Sequence, residues 1–358
     1  MNMGLLDIYS DYLISQNGYA TATGLSSMLD GQISHDKITR FLNTGSSTSK
    51  DLWLYVKPTL RKIEQSKGGV LIIDDSIKEK PYTDENELVN WHYSHAKHRC
   101  IKGINLMSCL VRYDDTALPV AFEAIRKNIR YSDVKTKKEK RQASINKNEL
   151  FRSMVEQAVK NGVLFDYVLA DNWFGSNENI RFLNKDMKKK FIVGIKSNRL
   201  VACQEEGKKG QYQNLSSLNL KDGEKRIVSV KGCSFSVALI AKVFKNEDDS
   251  TGTLYLVMSD LESSADQIYD VYKKRWRIEE YHKSIKQNAS LEKSPTKVER
   301  SQSNHIFASI VAYCKLEFLK MQTNLNHFAL KYKILIKANQ TAYQELKKLQ
   351  SFEAGCVR

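Results

Sequence analysis

The sequence predicts an α/β fold in which helices flank a mixed β-sheet, with a helical domain at the N-terminus and a β-rich insertion. Three observations lead to this prediction. The first 66 residues have mostly helical periodicity. After Gly68, short β-branched and aliphatic runs alternate with helical segments. Glycines and alternating apolar residues then crowd residues 201–262, as in antiparallel strands.

The composition is that of a globular protein with an anionic partner. The chain has 358 residues, of which 41% are hydrophobic and 27% charged, so a mainly disordered chain is excluded. The formal net charge is +15, and folding does not need this excess, which therefore indicates a polyanion as partner. We find no secretory signal and no apolar run of the ~20 residues that a membrane span needs. The six scattered cysteines fit a reduced cytosolic compartment.

The N-terminal region contains short helices joined by glycine-containing connections. Ser34 is a plausible N-cap for a helix over 35–43, in which Ile38, Phe41 and Leu42 are apolar. Such helices resemble a helix-turn-helix module, so we expect this region to contact DNA through residues such as Lys37 and Arg40. An ordinary helical subdomain has the same pattern, and that alternative stays open.

The middle of the chain supplies the predicted sheet. Strand-like runs cover 70–73, 103–112, 118–125, 166–170 and 191–195, and helical segments cover 148–161 and 177–188. The turn at 113–116 predicts an antiparallel hairpin. Three antiparallel strands followed by parallel additions form the arrangement of ribonuclease H-like folds. A long polar helix is predicted over 264–288, followed by amphipathic helices from 301 onwards.

Two aspartates follow apolar strands that this topology makes neighbours. Asp74 follows the first strand and Asp171 the fourth. Two converging carboxylates repel each other unless a cation lies between them, and oxygen-only ligands suit Mg²⁺ or Mn²⁺. Asp75 competes with Asp74, because adjacent strand residues face opposite sides. Asp74 and Asp171 are each equally compatible with an ordinary strand-end turn.

The polar helix carries a third carboxylate. Four residues lie on one narrow face at about 100° per residue: Tyr272, Arg275, Glu279 and Lys286. A solvated stripe with an Arg275–Glu279 pair is the plain alternative. Together with Asp74 and Asp171, Glu279 would complete a set able to hold two divalent ions ~3.5–4 Å apart.

These residues resemble the DDE transposases of bacterial insertion sequences. The Tyr-x2-Arg-x3-Glu-x6-Lys signature of one group is complete from Tyr272 to Lys286. The contexts Ile73-Asp74-Asp75-Ser76 and Leu169-Ala170-Asp171-Asn172-Trp173-Phe174-Gly175 also match, and the likeness covers roughly residues 68–320. The match favours Asp74 over Asp75 as the first acidic residue.

The resemblance implies a role for each matching residue. Asp74, Asp171 and Glu279 would be the catalytic ligands of two Mg²⁺ ions, with Mn²⁺ as substitute. Arg275 and Lys286 would hold DNA phosphates, with Tyr272 beside them. The chain would then divide into a helical DNA-binding domain (1–66), a catalytic core in two parts (67–200 and 263–300), the β-rich insertion (201–262) and a C-terminal helical region (301–358).

The resemblance also implies an activity and partners. The expected enzyme nicks element ends by metal-assisted hydrolysis and transfers the 3′-hydroxyl to target DNA. Its partners would be the terminal inverted repeats and the target duplex, bound by a homodimer in the bacterial cytoplasm near the nucleoid, without a membrane or nucleotide cofactor. The alternatives are an inactive transposase-derived DNA-binding protein and a structure-specific nuclease on the same fold.

A basic segment lies between the third strand and the next helix. Residues 126–141 contain eight Lys or Arg against two acidic residues. We expect an exposed loop there that tracks a DNA backbone through four residues in particular: Lys137, Lys138, Lys140 and Arg141. A solvated run of charges is the alternative.

Two features have no assigned role. His92, His95 and His98 match no usual zinc spacing, so we expect no zinc there. In one branch of the group, a Trp of the insertion stacks on a flipped base. Residues 201–262 contain no Trp, so that role stays open among four other aromatic residues: Tyr212, Phe235, Phe244 and Tyr255.

Overall fold

The computed structural model describes residues 2–65, 67–94, 97–134, 136–205, 208–245 and 249–355. The chain forms two compact units. The helical unit comprises Met1–Thr48, Tyr82–Asp84 and Tyr281–Arg358, and the sheet unit comprises Ser49–Pro81 and Glu85–Glu280. The predicted N-terminal segment is therefore divided between the two units after Thr48.

The described residues contain the following regular elements. The helices are α1 (Met3–Ser15), α2 (Ala22–Met28), α3 (His35–Asn43), α4 (Ser49–Ile63), α5 (Lys147–Lys160), α6 (Asn177–Arg181), α7 (Ala265–Lys273), α8 (Arg277–Gln287), α9 (Glu299–Thr323) and α10 (His327–Gly355). The strands are β1 (Val70–Glu79), β2 (Asn90–Ser94), β3 (Arg99–Tyr113), β4 (Thr116–Ala124), β5 (Ile129–Ser132), β6 (Glu139–Gln142), β7 (Tyr167–Ala170), β8 (Lys190–Ile195), β9 (Leu200–Glu205), β10 (Lys208–Lys209), β11 (Gln213–Asn214), β12 (Lys225–Val230), β13 (Ser236–Lys245) and β14 (Thr251–Met258).

The core of the sheet unit runs in the order β4-β3-β1-β7-β8. Strands β1, β3 and β4 pair antiparallel, whereas β7 pairs parallel with both β1 and β8. Helices α4 and α5 pack against β4, and α7 packs against β8. The predicted ribonuclease H-like arrangement of a mixed sheet flanked by helices is thereby confirmed.

The predicted β-rich insertion is also present, and it extends the core sheet. Strands β9 to β14 lie between β8 and α7 along the chain. Because β14 pairs antiparallel with β8, the insertion continues the core sheet through β13, β12 and β9. The site-bearing strands β1 and β7 therefore lie in the interior of a 12-stranded sheet.

The register between β1 and β7 brings the two predicted aspartates to one level. Val70 pairs with Tyr167 and Ile72 with Leu169. Continuing this register by two residues places Asp74 opposite Asp171, the residue that directly follows β7. One expectation was wrong: β1 does not end before Asp74 but continues to Glu79, because the long strand β3 pairs with it along its whole length.

The helical unit is built around the buried helix α9. Helices α1, α3 and α10 pack on it. The buried His305 ring is 3.0 Å from the Tyr9 hydroxyl, and the Asn304 amide donates to the Leu42 carbonyl at 2.8 Å. The predicted bounds and cap of α3 are confirmed, since the Ser34 hydroxyl accepts from the Lys37 amide.

Two segments differ from the prediction. The expected loop over 126–141 contains the hairpin β5–β6, in which Ile129–Ser132 pairs antiparallel with Glu139–Gln142. The expected continuous helix over 264–288 is interrupted by a 3₁₀ turn at Lys274–Trp276, between α7 and α8.

Among the described residues, no helix combines the length and the hydropathy that crossing a bilayer requires.

Gly175 provides a test of the sheet packing. A Cβ atom at this position would lie 2.0 Å from the Gly194 carbonyl oxygen of β8, and backbone cannot yield as a flexible side chain can. Gly175→Ala is expected to lower the free energy of unfolding by ~1–3 kcal/mol, measured by urea denaturation. Gly18, whose Cβ would meet nothing within 4 Å, provides the control substitution Gly18→Ala. Equal stability of the two variants would contradict the close approach.

Candidate active site

Asp74 is a buried carboxylate in the middle of the sheet. Asp74 is only 9% exposed to solvent. Burial, and after it the nearby Asp171 carboxylate, raise the pKa of Asp74 to about 7, although Arg275 acts in the opposite direction. An acid that is costly to ionise in the absence of a ligand is characteristic of a functional site.

Arg275 connects Asp74 to the carboxylate of α8. Its Nη1 lies 3.0 Å from Asp74 Oδ2 and 3.5 Å from Glu279 Oε1. The guanidinium also lies 5.8 Å from the centre of the Tyr272 ring. Burial raises the pKa of Tyr272 to about 12, so its phenol stays protonated at neutral pH. Arg275 thus contacts Asp74 in the sheet unit and lies beside two further signature residues, Tyr272 and Glu279.

The 3₁₀ turn that carries Arg275 is anchored to the hairpin between β3 and β4. Arg112 Nη1 donates to the Lys274 carbonyl at 3.2 Å, and Arg277 Nη2 donates to the Asp115 carbonyl at 2.6 Å. The Arg112 bond satisfies a backbone carbonyl where the helical hydrogen-bond ladder is interrupted, and the Arg277 bond ties the start of α8 to the hairpin turn. The turn therefore holds Arg275 in place although the predicted helix is broken.

Asp171 begins the loop that follows β7. Its Oδ1 accepts the Trp173 backbone N–H at 2.9 Å. Burial raises the pKa of Asp171, while the bond from Trp173 and the Arg275 charge lower it. The loop turns tightly against β8 because Gly175 admits the Gly194 carbonyl. Asp171 is therefore held by its own loop on the level of Asp74.

Asp75 has different partners from Asp74. Its Oδ2 lies 2.7 Å from Lys147 Nζ and accepts from Asn105 Nδ2 at 2.8 Å. This separation of partners supports Asp74 as the residue that belongs with the signature. Burial, with the Lys127 and Lys147 charges, lowers the pKa of the neighbouring His92 to about 4, so its ring is neutral at physiological pH.

The remaining predicted site residues lie elsewhere. Lys286 is on α8, seven residues after Glu279, but belongs to the helical unit, where its Nζ is 3.7 Å from Glu292 Oε1. Lys37 and Arg40 are exposed on α3. His98 is an exposed turn residue with φ 49°, and His95 lies outside the described residues.

The hairpin β5–β6 presents the predicted basic residues. Lys137 and Lys138 are exposed in the segment that connects the two strands. Lys140 lies on β6 and forms an ion pair with Asp133, which directly follows β5. Arg141 is half-buried and pairs in register with Arg130. The hairpin therefore holds its basic residues on an ordered ribbon.

The aromatic residues of the insertion differ in their surroundings. Phe244 is 39% exposed and its ring centre lies 6.4 Å from that of Tyr269. Phe235 lies under Lys185, whose Nζ is 5.5 Å from the ring centre. Tyr212 is 38% exposed, and Tyr255 is half-buried on β14.

The carboxylates fit a divalent cation in donor type and in charge. Asp74, Asp171 and Glu279 offer only oxygen donors, which Mg²⁺ and Mn²⁺ prefer. With Arg275 as the cation paired to two of them, a fully ionised set keeps two negative charges uncompensated. Within the described ranges, no three His, Cys, Asp or Glu side chains are already grouped closely enough to hold a metal.

Sequence reasoning missed several residues of this region. Lys147 pairs with Asp75, and Arg112 anchors the signature turn. The N-cap at Asn146, with Glu149 three residues later, signals the start of α5 and so places Lys147 in its first turn. No sequence pattern singles out Arg112, because its role depends on a backbone carbonyl distant along the chain.

Comparison with known families adds an independent finding. A family model described as a DDE superfamily endonuclease matches residues 3–213. The match includes Asp74 and Asp171 and ends before the Tyr272–Lys286 signature. No curated protein matches the chain.

The raised pKa of Asp74 predicts a pH-dependent stability. Between about pH 4 and pH 7 the folded chain keeps a proton on Asp74 that the unfolded chain has lost, so stability falls as the pH rises through this window. Asp74→Asn is therefore expected to stabilise the chain at pH 8 by a few kcal/mol, at ~1.4 kcal/mol per pKa unit, and hardly at all below pH 4. Urea denaturation in EDTA measures this, and a destabilising effect at pH 8 would contradict it.

Proposed function

The chain belongs to the DDE superfamily of endonucleases, and on that premise we propose that it is a DNA transposase of the cut-and-paste type. It nicks the ends of a mobile element and joins the freed 3′-hydroxyl to target DNA. One observation carries the proposal: a single nitrogen of Arg275 contacts both Asp74 and Glu279, which are more than 200 residues apart in sequence. The family implies DNA as the substrate.

The two steps are successive phosphoryl transfers. In the first, a water oxygen bonds to the scissile phosphorus and the bond to the 3′ oxygen breaks, so the element end keeps a 3′-hydroxyl. In the second, that hydroxyl attacks a target phosphate, a new phosphodiester forms, and the target 3′ oxygen leaves. No covalent bond between protein and DNA is needed in either step.

We assign Asp74, Asp171 and Glu279 to hold the divalent cations, Mg²⁺ or Mn²⁺, that the family generally uses. Such cations, when bound, neutralise developing charge on the phosphate oxygens and make water a better nucleophile. The raised pKa of Asp74 and that of Asp171 mean that both carboxylates gain from any added positive charge.

Arg275 is the residue of the site best suited to hold a phosphate. Its guanidinium presents donors in a fixed planar fork, and such forks bind phosphate as readily as carboxylate. In the structure Arg275 is paired with carboxylates, and Tyr272 lies beside it. We therefore assign Arg275 to the DNA backbone next to the cleavage point, with Tyr272 as its packing partner and Lys286 further along α8.

DNA contacts outside the site follow the charge of the chain. The exposed Lys137 and Lys138, with Lys140 and Arg141, are assigned to backbone phosphates, which position DNA without reading its sequence. Lys37 and Arg40 of α3 are assigned to the element ends. Because two element ends must meet in one reaction, we propose that the chain acts as a homodimer on DNA.

Glu279 provides the most direct mutational test. Glu279→Gln is expected to lower Mg²⁺-dependent nicking of element-end DNA at least ~100-fold through loss of a ligand, with DNA binding retained in a gel-shift assay. The control is Glu280→Gln, which removes an adjacent carboxylate that pairs with Arg277. Full nicking by Glu279→Gln would refute the assignment. Nicking by the parent chain without strand-transfer products would instead indicate a structure-specific nuclease.

The basic hairpin predicts a salt-dependent contribution to binding. The double variant Lys137→Gln/Lys138→Gln is expected to weaken binding of all duplexes alike and to reduce the slope of log K against log salt by up to ~1.8. Lys333→Gln/Lys337→Gln, on exposed positions of α10, changes the net charge equally and serves as control. Equal slopes for the two double variants, measured by fluorescence anisotropy, would show that the hairpin does not contact DNA.

A further inference from the structure

The loop that begins with Asp171 becomes buried within three residues. Phe174 is fully buried, and its ring stacks on that of Phe151 of α5 with the ring centres 5.2 Å apart. The Phe174 backbone N–H donates to the Asp171 carbonyl at 3.3 Å. The Phe174 carbonyl is buried as well and needs a side-chain donor, because a loop lacks the regular backbone partners of a helix or strand.

Asn179 of α6 supplies that donor, and the roles assigned above do not use it. The residue is 1% exposed, and its Nδ2 donates to the Phe174 carbonyl at 2.9 Å and to Asn148 Oδ1 at 2.8 Å. Its Oδ1 accepts from Arg152 Nη1 at 2.8 Å. Both protons and the oxygen of this amide are therefore engaged, with the loop on one side and with α5 on the other.

Helix α5 also contacts the strand that carries the other aspartate. Lys147 Nζ lies 2.7 Å from Oδ2 of Asp75, the residue that follows Asp74 on β1. Four side chains within an arc of ~140° on one side of α5 make the contacts of this network: Lys147, Asn148, Phe151 and Arg152. One helix thus holds β1 beside Asp74 and, through Asn179, the loop that begins with Asp171.

We infer that Asn179 is a positioning residue for Asp171. It fixes the loop to α5 and thereby holds the Asp171 carboxylate at a set distance from Asp74, so that both can bind the same cation. Like charges repel, so a loop without this anchor relaxes in the direction that separates the two carboxylates. The inference rests on the proposed function, in which these carboxylates are the cation ligands.

The test is a titration of Mn²⁺ into the full chain without DNA, followed by electron paramagnetic resonance. Asn179→Ala is expected to weaken Mn²⁺ binding about 10-fold, the lower end of the range for residues that orient a metal ligand. The number of ions bound per chain is expected to stay that of the parent, because the folded variant keeps all three carboxylates. A merely structural role would lower that number instead, through the fraction of chains that unfold.

Asn304→Ala is the matched control. Asn304 is likewise a fully buried asparagine whose Nδ2 donates to a backbone carbonyl, that of Leu42, but it lies in the helical unit. Its variant is expected to bind Mn²⁺ as tightly as the parent. Asn148→Ala removes one acceptor of the Asn179 amide from a half-buried position and serves as a milder variant, for which weaker Mn²⁺ binding is also expected. Circular dichroism melting shows which variants fold.

Hydrogen exchange without metal supplies a second readout. Amides of residues 172–176 are expected to exchange faster in Asn179→Ala than in the parent, while the amides of β1 and β7 keep their rates, because only the loop is released. Parent-like Mn²⁺ affinity in every folded variant of Asn179 and Asn148 would overturn the inference, whatever the exchange rates. An equal loss of affinity in Asn304→Ala, or fewer ions per chain at unchanged affinity, would overturn it too.

Failure of this inference is distinguishable from failure of the proposed function. A parent chain that binds Mn²⁺, with weaker binding in Asp171→Asn but parent-like binding in Asn179→Ala, contradicts the positioning role alone. A parent chain that binds no Mn²⁺ and does not nick DNA contradicts the proposed function itself.

Discussion

The ion pair between Arg275 and Asp74 is the interaction on which the site depends. A carboxylate buried in the interior of a sheet is costly to ionise, and a second carboxylate at the same level adds repulsion. The Arg275 guanidinium offsets part of this cost and contacts Glu279 at the same time. The pair therefore links the central strand β1 to the start of α8 and keeps three acidic groups in one region without a metal.

The rest of the sheet unit serves this arrangement. Parallel pairing of β1 with β7 sets Asp171 on the level of Asp74, and the tight approach of Gly175 to β8 fixes the loop that follows. Arg112, on β3 and distant along the chain, holds the 3₁₀ turn by donating to the Lys274 carbonyl. The insertion strands extend the sheet beyond β8, so Asp74 and Asp171 lie at interior strands and away from the sheet edges.

Apolar runs in the sequence were sufficient to predict the core strands β1, β3, β4, β7 and β8 in chain order, because such runs are local signals. The assignment of Asp74, Asp171 and Glu279 came from strand ends and motif spacing and stays a prediction. Sequence reasoning misplaced the end of β1, since the length of that strand is decided by its pairing with β3. It missed the break after Lys273, because a 3₁₀ turn here is stabilised by bonds from Arg112 and Arg277 to distant carbonyls. The pairing of Lys147 with Asp75 likewise arises from a contact between segments that no local pattern connects.

Binding of Mn²⁺ to the DNA-free chain is the decisive test of the proposed carboxylate site, because it requires no element-end sequence. Electron paramagnetic resonance reports free Mn²⁺ as the ion is titrated into the parent chain and into Asp171→Asn. Saturable binding by the parent chain is expected, with at least ~10-fold weaker binding by the variant, because one oxygen ligand is lost. Equal Mn²⁺ affinity of the two proteins would contradict a shared cation site of Asp74, Asp171 and Glu279.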